Sequence, residues 1–287
     1  MPETVEIFEM GPRDGLQNEK RQIPTPEKIA FVDCLSRAGF RRIEVGSFVS
    51  PKWVPQMADS AEVFAGITRA TGVSYAALTP NLKGFEGALA ARADEVAIFA
   101  SASEGFSKAN LNCTIDESIE RFVPLVAAAK EAGVPVRGYV SVVTDCPYDG
   151  KTQPNAVARV AARLRALGCY EVSLGDTIGQ GTPEAVEAML AIVTQEVPAA
   201  ELAGHFHDTA GRALLNIEAS LARGLRVFDA AVGGLGGCPY APGAAGNVAT
   251  EKVRAFLEAK GYATGIDPLV LEEAAAMALA MKGAANG

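Results

Sequence analysis

An apolar or β-branched run of five to eight residues, each followed by a longer stretch with helical spacing, recurs eight times along the chain. Strict alternation of strand and helix demands a parallel sheet covered by helices. The runs are 5–10, 42–47, 74–79, 95–101, 136–143, 170–175, 202–207 and 226–232. Between them, 25–38, 155–167 and 183–197 are amphipathic, and Gly39, Gly133, Gly168 and Gly224 stand where helix C-caps precede the next strand. A doubly wound sheet would show a glycine fingerprint after its first strand, whereas here the first strand runs into Gly11-Pro-Arg-Asp-Gly15. Eight such units predict an α/β fold of the (β/α)8 TIM-barrel type, one catalytic domain over 1–287 with an extra C-terminal helical segment over 267–287.

Composition narrows the partners. The net charge is −8 and Lys and Arg are scattered, so no basic stripe suits nucleic acid. No stretch approaches the ~18 consecutive apolar residues of a membrane span, and the opening MPETVEIFEM shows no leader pattern, so a cytoplasmic protein is expected. Five cysteines without a C-x-x-C pair suggest neither a disulfide framework nor a structural zinc site.

In such a barrel, function collects at the C-terminal ends of the strands. Arg13 and Asp14 follow strand one, Glu44 and Ser47 lie on strand two, Asp176 and Thr177 end strand six, and His205 and His207 lie on strand seven. The two histidines are the only ones in the chain, and their i, i+2 spacing on a strand turns both rings to one face. Two imidazoles and a carboxylate make a facial ligand set with open positions. Asp14 is the carboxylate within reach, because strand one closes the barrel against strand eight; taken alone it also reads as a turn residue before Gly15. Asn247, expected at the start of the helix after strand eight, would add an oxygen, and two nitrogens with two oxygens suit Mg2+ or Mn2+ better than Zn2+. Asp208 alternates to the opposite face and reads as an N-cap for a helix from Thr209 onward. Glu44 inside a strand needs a partner, and Arg13 is the natural one. Cys34 and Cys169 fall on helix and strand patterns and read as small hydrophobes, Cys113 and Cys146 lie in loops, and Cys238, in the glycine-rich stretch 233–238, reads as a reactive thiol.

The strings Gly11-Pro-Arg-Asp-Gly-Leu-Gln-Asn-Glu-Lys20, Ile43-Glu-Val-Gly-Ser-Phe-Val-Ser-Pro-Lys-Trp-Val-Pro-Gln-Met57, Ser173-Leu-Gly-Asp-Thr-Ile-Gly179, His205-Phe-His-Asp-Thr209 and Gly234-Leu-Gly-Gly-Cys-Pro-Tyr240 with Gly246-Asn247 resemble the 3-hydroxy-3-methylglutaryl-CoA lyases. The Arg-Asp, the Glu and the His-x-His alone mark a larger group of metal-dependent barrels; the run from Ser47 to Met57 and the Gly-Gly-Cys-Pro-Tyr loop point to the lyase. The resemblance implies cleavage of an acyl-CoA substrate into acetyl-CoA and acetoacetate, as in leucine degradation and ketone-body formation, by a homodimer using Mg2+ or Mn2+. It implies Asp14, His205, His207 and Asn247 as metal ligands, Arg13 against the reacting acyl group, Glu44 in support, and Cys238 as the catalytic thiol. Ser47, Asp176 and Thr177 are expected to contact substrate, and His205 or Asp14 to take the hydroxyl proton. An aldolase or condensing synthase of the same barrel group is the alternative, and a non-catalytic metal or dicarboxylate binder the more distant one. Phe206 and Ala210 depart from common residues of the family, and the C-terminal cysteine of animal members is missing.

Overall fold

The computed structural model of the chain describes residues 2–238 and 241–282, without the side chains of 237–245. Eight parallel strands close into a barrel: β1 (Glu6–Glu9), β2 (Arg42–Ser47), β3 (Ser74–Leu78), β4 (Glu95–Ser101), β5 (Val136–Ser141), β6 (Glu171–Asp176), β7 (Leu202–Phe206) and β8 (Val227–Ala230). Each pairs with its sequence neighbour, and β1 closes against β8 with Glu6 beside Val227 and Glu9 beside Ala230. The expected strands are therefore present, some shortened by a residue or two at an end.

The helices α1 (Thr25–Arg37), α2 (Ser60–Gly66), α3 (Leu82–Ala90), α4 (Glu104–Leu111), α5 (Ile115–Ala132), α6 (Pro154–Leu167), α7 (Pro183–Glu196), α8 (Ala213–Ala222) and α9 (Thr250–Ala259) surround it, and α10 (Pro268–Lys282) follows. No helix among the described residues is long and apolar enough to cross a membrane. The expected cap at Gly133 ends α5 in the left-handed region. Asp208 needs a correction. The helix begins at Ala213, after Gly211 has turned the chain at φ +69°, and the Asp208 carboxylate accepts the Ala213 N–H at 3.1 Å from across that turn.

The large apolar core lies between the barrel wall and the helices, as it must when strands are buried on both faces. The lumen is different. Its apolar cluster is small, with Phe8, Met10, Ala76, Leu78, Ala97 and Tyr139, and buried charged residues, Arg137, Glu171 and Asp229 among them, stand beside it. The Phe8 ring lies between the Arg42 and Arg137 guanidinium groups, at 4.6 and 4.7 Å. Arg137 is fully enclosed and pairs with Glu171 at 2.7 Å and Asp229 at 2.9 Å, because an unpaired charge at that depth would be prohibitive. These charged layers are the floor on which the rim residues stand.

Candidate active site

The first strand leaves the barrel through a wide turn, Gly11–Gly15, that lifts Arg13 and Asp14 over the lumen. Arg13 is buried and reaches across to β2, where its Nε donates to Glu44 Oε2 at 2.5 Å while Nη1 donates to Asp14 Oδ1 at 2.5 Å. The pairing expected for Glu44 is present. Burial pushes the Glu44 carboxyl up and Arg13 pulls it back, while Tyr139 donates its hydroxyl to Glu44 Oε1 at 3.1 Å. The guanidinium is thus clamped on two sides and lies 5.7 Å from the Tyr139 ring centre.

From β7 the two imidazoles enter the same mouth, ring centres 5.3 Å apart. Each Nε2 lies 3.8 Å from Asp14 Oδ2, and one ligand atom from each of the three residues falls within 4.8 Å of the others. Burial opposes ionisation of Asp14, but Arg13 and the two histidines outweigh it and hold its carboxyl well below the usual range. A carboxylate whose charged form is favoured, with two imidazole nitrogens converging on one point, is a donor set that fits a divalent cation. The same triad is the one that strand parity and barrel closure bring together in the sequence.

Its supports are visible as well. His205 Nδ1 is held by the Asp229 carboxylate at 3.1 Å, which aims the opposite nitrogen at Asp14. Asp229 itself, pushed up by burial, is carried well below the ordinary carboxylate range by Arg137 and His205, and it takes a further hydrogen bond from the Ser173 hydroxyl. Gln17 Nε2 donates to Asp14 at 3.1 Å. Asn247 lies three residues ahead of α9 instead of at its start, in an isolated antiparallel bridge with His207. Its amide nitrogen donates to Asp14 Oδ2 at 2.8 Å and to Leu235 O at 3.2 Å. A methyl group on Gly236 would fall 2.9 Å from that nitrogen and 3.2 Å from the Asp14 carbonyl, so only glycine lets the loop lie against the site there.

Three rim residues turn toward rim loops, their own or that of the neighbouring strand. Asp176 is enclosed, its carboxyl raised by burial, and accepts from Gly181 N at 2.9 Å, Gln180 N at 3.2 Å and the Thr144 hydroxyl at 3.1 Å. The Thr177 hydroxyl oxygen accepts the N–H of Val142, a β-branched residue held at φ +57°, and Ser47 Oγ accepts the Val49 N–H. Cys34 and Cys169 are buried, and burial pushes the Cys169 thiol up to about 12. Cys146 Sγ lies 2.9 Å from Ser103 Oγ inside the 145–151 hairpin, and Cys113 is buried. The Cys238 side chain lies outside the described residues; its backbone pairs with Ala241 in a two-stranded ribbon beyond Gly236.

Sequence reasoning missed Asp229, Arg137, Tyr139 and Gln17. The available signal was parity: Arg137 and Tyr139 sit two apart within one strand run, and a charged residue such as Asp229 within a buried strand must face a partner across the lumen.

A closed parallel barrel with an Asp–His–His set beside a clamped arginine on its C-terminal rim defines an enzyme of the metal-capable barrel class. The chain belongs to the HMGL-like family, whose model matches residues 4–277. It is 58% identical over 287 residues to a Pseudomonas aeruginosa protein named 3-hydroxy-3-isohexenylglutaryl-CoA/hydroxymethylglutaryl-CoA lyase, covering 100% of this chain and 96% of that one. Among solved structures, the HMG-CoA lyase of Brucella melitensis superposes with a TM-score of 0.97 at 61% identity, over 98% of this chain and 100% of that one. The HMG-CoA lyase of Acinetobacter baumannii, solved in complex with coenzyme A and 3-methylmalate, gives 0.92 at 39% identity, over 98% and 92%.

Proposed function

We propose that this protein cleaves 3-hydroxy-3-methylglutaryl-CoA to acetyl-CoA and acetoacetate, with Mg2+ or Mn2+ held by Asp14, His205, His207 and Asn247. The observation that carries the reading is the contact between the triad and Arg13, which sets a cation-binding carboxylate and a fixed positive charge side by side over one lumen. In the reaction the C3 hydroxyl loses its proton, the C2–C3 bond breaks, C3 becomes the ketone of acetoacetate, and the electron pair passes to the thioester enolate, which takes a proton at C2. A bound divalent cation supplies Lewis acidity at the C3 hydroxyl. The proton leaves to a member of the triad. Arg13, whose Nε and Nη1 are committed to Glu44 and Asp14, offers its remaining edge to the enolate oxygen. Cys238 then gives its thiol proton to C2. Ser47, Asp176 and Thr177 serve by holding the rim loops against the substrate.

The test is direct: purified protein with the thioester should release acetyl-CoA and acetoacetate in equal amounts, and absence of both products overturns the reading. The isohexenyl thioester belongs in the same assay, given the name of the Pseudomonas aeruginosa relative. Arg13→Lys keeps the charge and loses the planar fork. Its kcat is expected to fall on the order of 100- to 1000-fold with KM little changed, the size of a lost oxyanion donor. A raised KM with near-normal kcat in steady-state kinetics would make Arg13 a binding group only.

A further inference from the structure

Glu9 ends β1 pointing away from the lumen, with no exposed surface. Its Oε1 accepts the N–H of Gly11 at 2.8 Å and of Val232 at 2.9 Å, and its Oε2 accepts the Thr250 hydroxyl at 2.6 Å. Each donor opens a different segment of the site. Gly11 begins the turn that carries Arg13 and Asp14, Val232 begins the turn that leads into the loop of Cys238, and Thr250 opens α9 three residues beyond Asn247. The seat is tight: a methyl group on Gly11 would lie 2.6 Å from Glu9 Oε1. Beside it, the Glu251 carboxylate takes the Gly233 N–H at 3.0 Å, so two carboxylates grip successive amides at the base of the glycine-rich loop.

Burial outweighs these donors and lifts the Glu9 carboxyl to about 7, yet an apolar side chain here would leave two amides and a hydroxyl without their acceptor. What a carboxylate adds is three directed bonds, and all three end on segments that carry site residues.

We propose that Glu9 is a positioning residue for the reaction, its buried carboxylate joining the Arg13–Asp14 turn, the base of the Cys238 loop and the Asn247 segment into one rigid unit. The turnover arm of the test rests on the proposed lyase activity; the metal arm does not. At pH 8, Mn2+ is titrated into wild type, Glu9→Ala, Glu9→Gln and Thr250→Val by electron paramagnetic resonance, turnover is measured in parallel, and circular dichroism reports folding. Glu9→Ala is expected to bind Mn2+ about 10-fold more weakly and to lose about 100-fold in kcat with KM nearly unchanged, the scale of a displacement of about 1 Å at the reacting groups. Glu9→Gln keeps an oxygen for the two amides and offers its NH2 to the Thr250 hydroxyl, which turns to accept, so it should return to within about 10-fold of wild type in both readouts. Thr250→Val should fall between them. Wild-type Mn2+ affinity and kcat in a folded Glu9→Ala overturn the proposal, as does a Glu9→Gln as impaired as Ala, which would mean that the charge acts and not the bonds. If Ala does not fold, Thr250→Val decides: wild-type behaviour there breaks the three-way link. A wild type that binds Mn2+ but leaves the thioester intact overturns the lyase reading alone, and the Mn2+ titrations still judge Glu9.

Discussion

Turnover is expected to vanish when the protein is stripped of divalent cation, and to return when Mg2+ or Mn2+ is added. The substrate proton sits on a tertiary alcohol, far too weak an acid for an imidazole or a carboxylate to ionise at neutral pH without a Lewis acid beside it. Among the described residues no cationic side chain at this site substitutes for one. Arg13 is the nearest fixed positive charge, and it is committed to Asp14 and Glu44. Loss of a term worth several kcal/mol corresponds to a fall on the order of 1000-fold or more. The measurement is lyase turnover after exhaustive chelation, with elemental analysis showing empty protein, followed by re-addition of metal. Mn2+ titration of Asp14→Ala and His207→Ala gives an independent readout, with affinity expected to drop about 10-fold or more for each. Full turnover by demonstrably metal-free protein would remove the cation from the mechanism, and unchanged Mn2+ binding in either variant would remove that residue from the ligand set.

Much of this arrangement is legible in the sequence, and the reason is geometric. Barrel strands buried on both faces must be written as apolar runs, and an i, i+2 pair of histidines in one of them has a single place to point. Asp14 joins them because β1 and β8 are neighbours in any closed eight-stranded barrel, whatever the loops do. The misses lie where structure depends on non-local contacts. The fifth run stops as a strand at Ser141 because Val142 turns through positive φ, pinned by hydroxyls from Thr177 and Thr152 that are distant or indifferent in sequence terms. Asn247 reads as a helix residue, yet the chain first pairs beside His207, which brings its amide to Asp14 before α9 begins. Asp229 is a lone acid in an apolar run, and its meaning appears only when Arg137 from β5 meets it across the lumen and His205 stands beside it on the neighbouring β7. The run from Ser47 to Met57, read as a family signature, has a local reason too. Gln56 within it binds Ile23 N and Arg21 O, and so braces the segment that follows Asp14.

Cys238→Ser should reduce kcat by about 10²- to 10⁴-fold, the usual worth of a positioned acid, while Mn2+ binding and the circular dichroism spectrum stay unchanged. The argument starts from Gly236, which lies against Asp14 and Asn247 closely enough that any side chain would collide. Two residues of chain span at most about 7 Å, so the Cys238 backbone stays within that distance of Gly236, which itself lies against Asp14 and Asn247. A thiol with an ordinary pKa of about 8.5 can yield a proton to an enolate carbon in the working pH range, whereas a serine hydroxyl of nearly the same size is a far weaker acid. Cys34→Ser and Cys169→Ser supply the contrast. Both thiols are buried in packed positions, so these variants should lose roughly 1–3 kcal/mol of stability for a buried hydroxyl and keep kcat near wild type. Alkylation should inactivate the wild-type protein, and substrate should protect it if the loop closes over the thiol. Peptide mapping of the adduct then decides. A Cys238→Ser variant that keeps most of its turnover, with the inactivating label found on Cys113 or Cys146, would leave the glycine-rich loop as a lid and place the proton donor elsewhere on the rim.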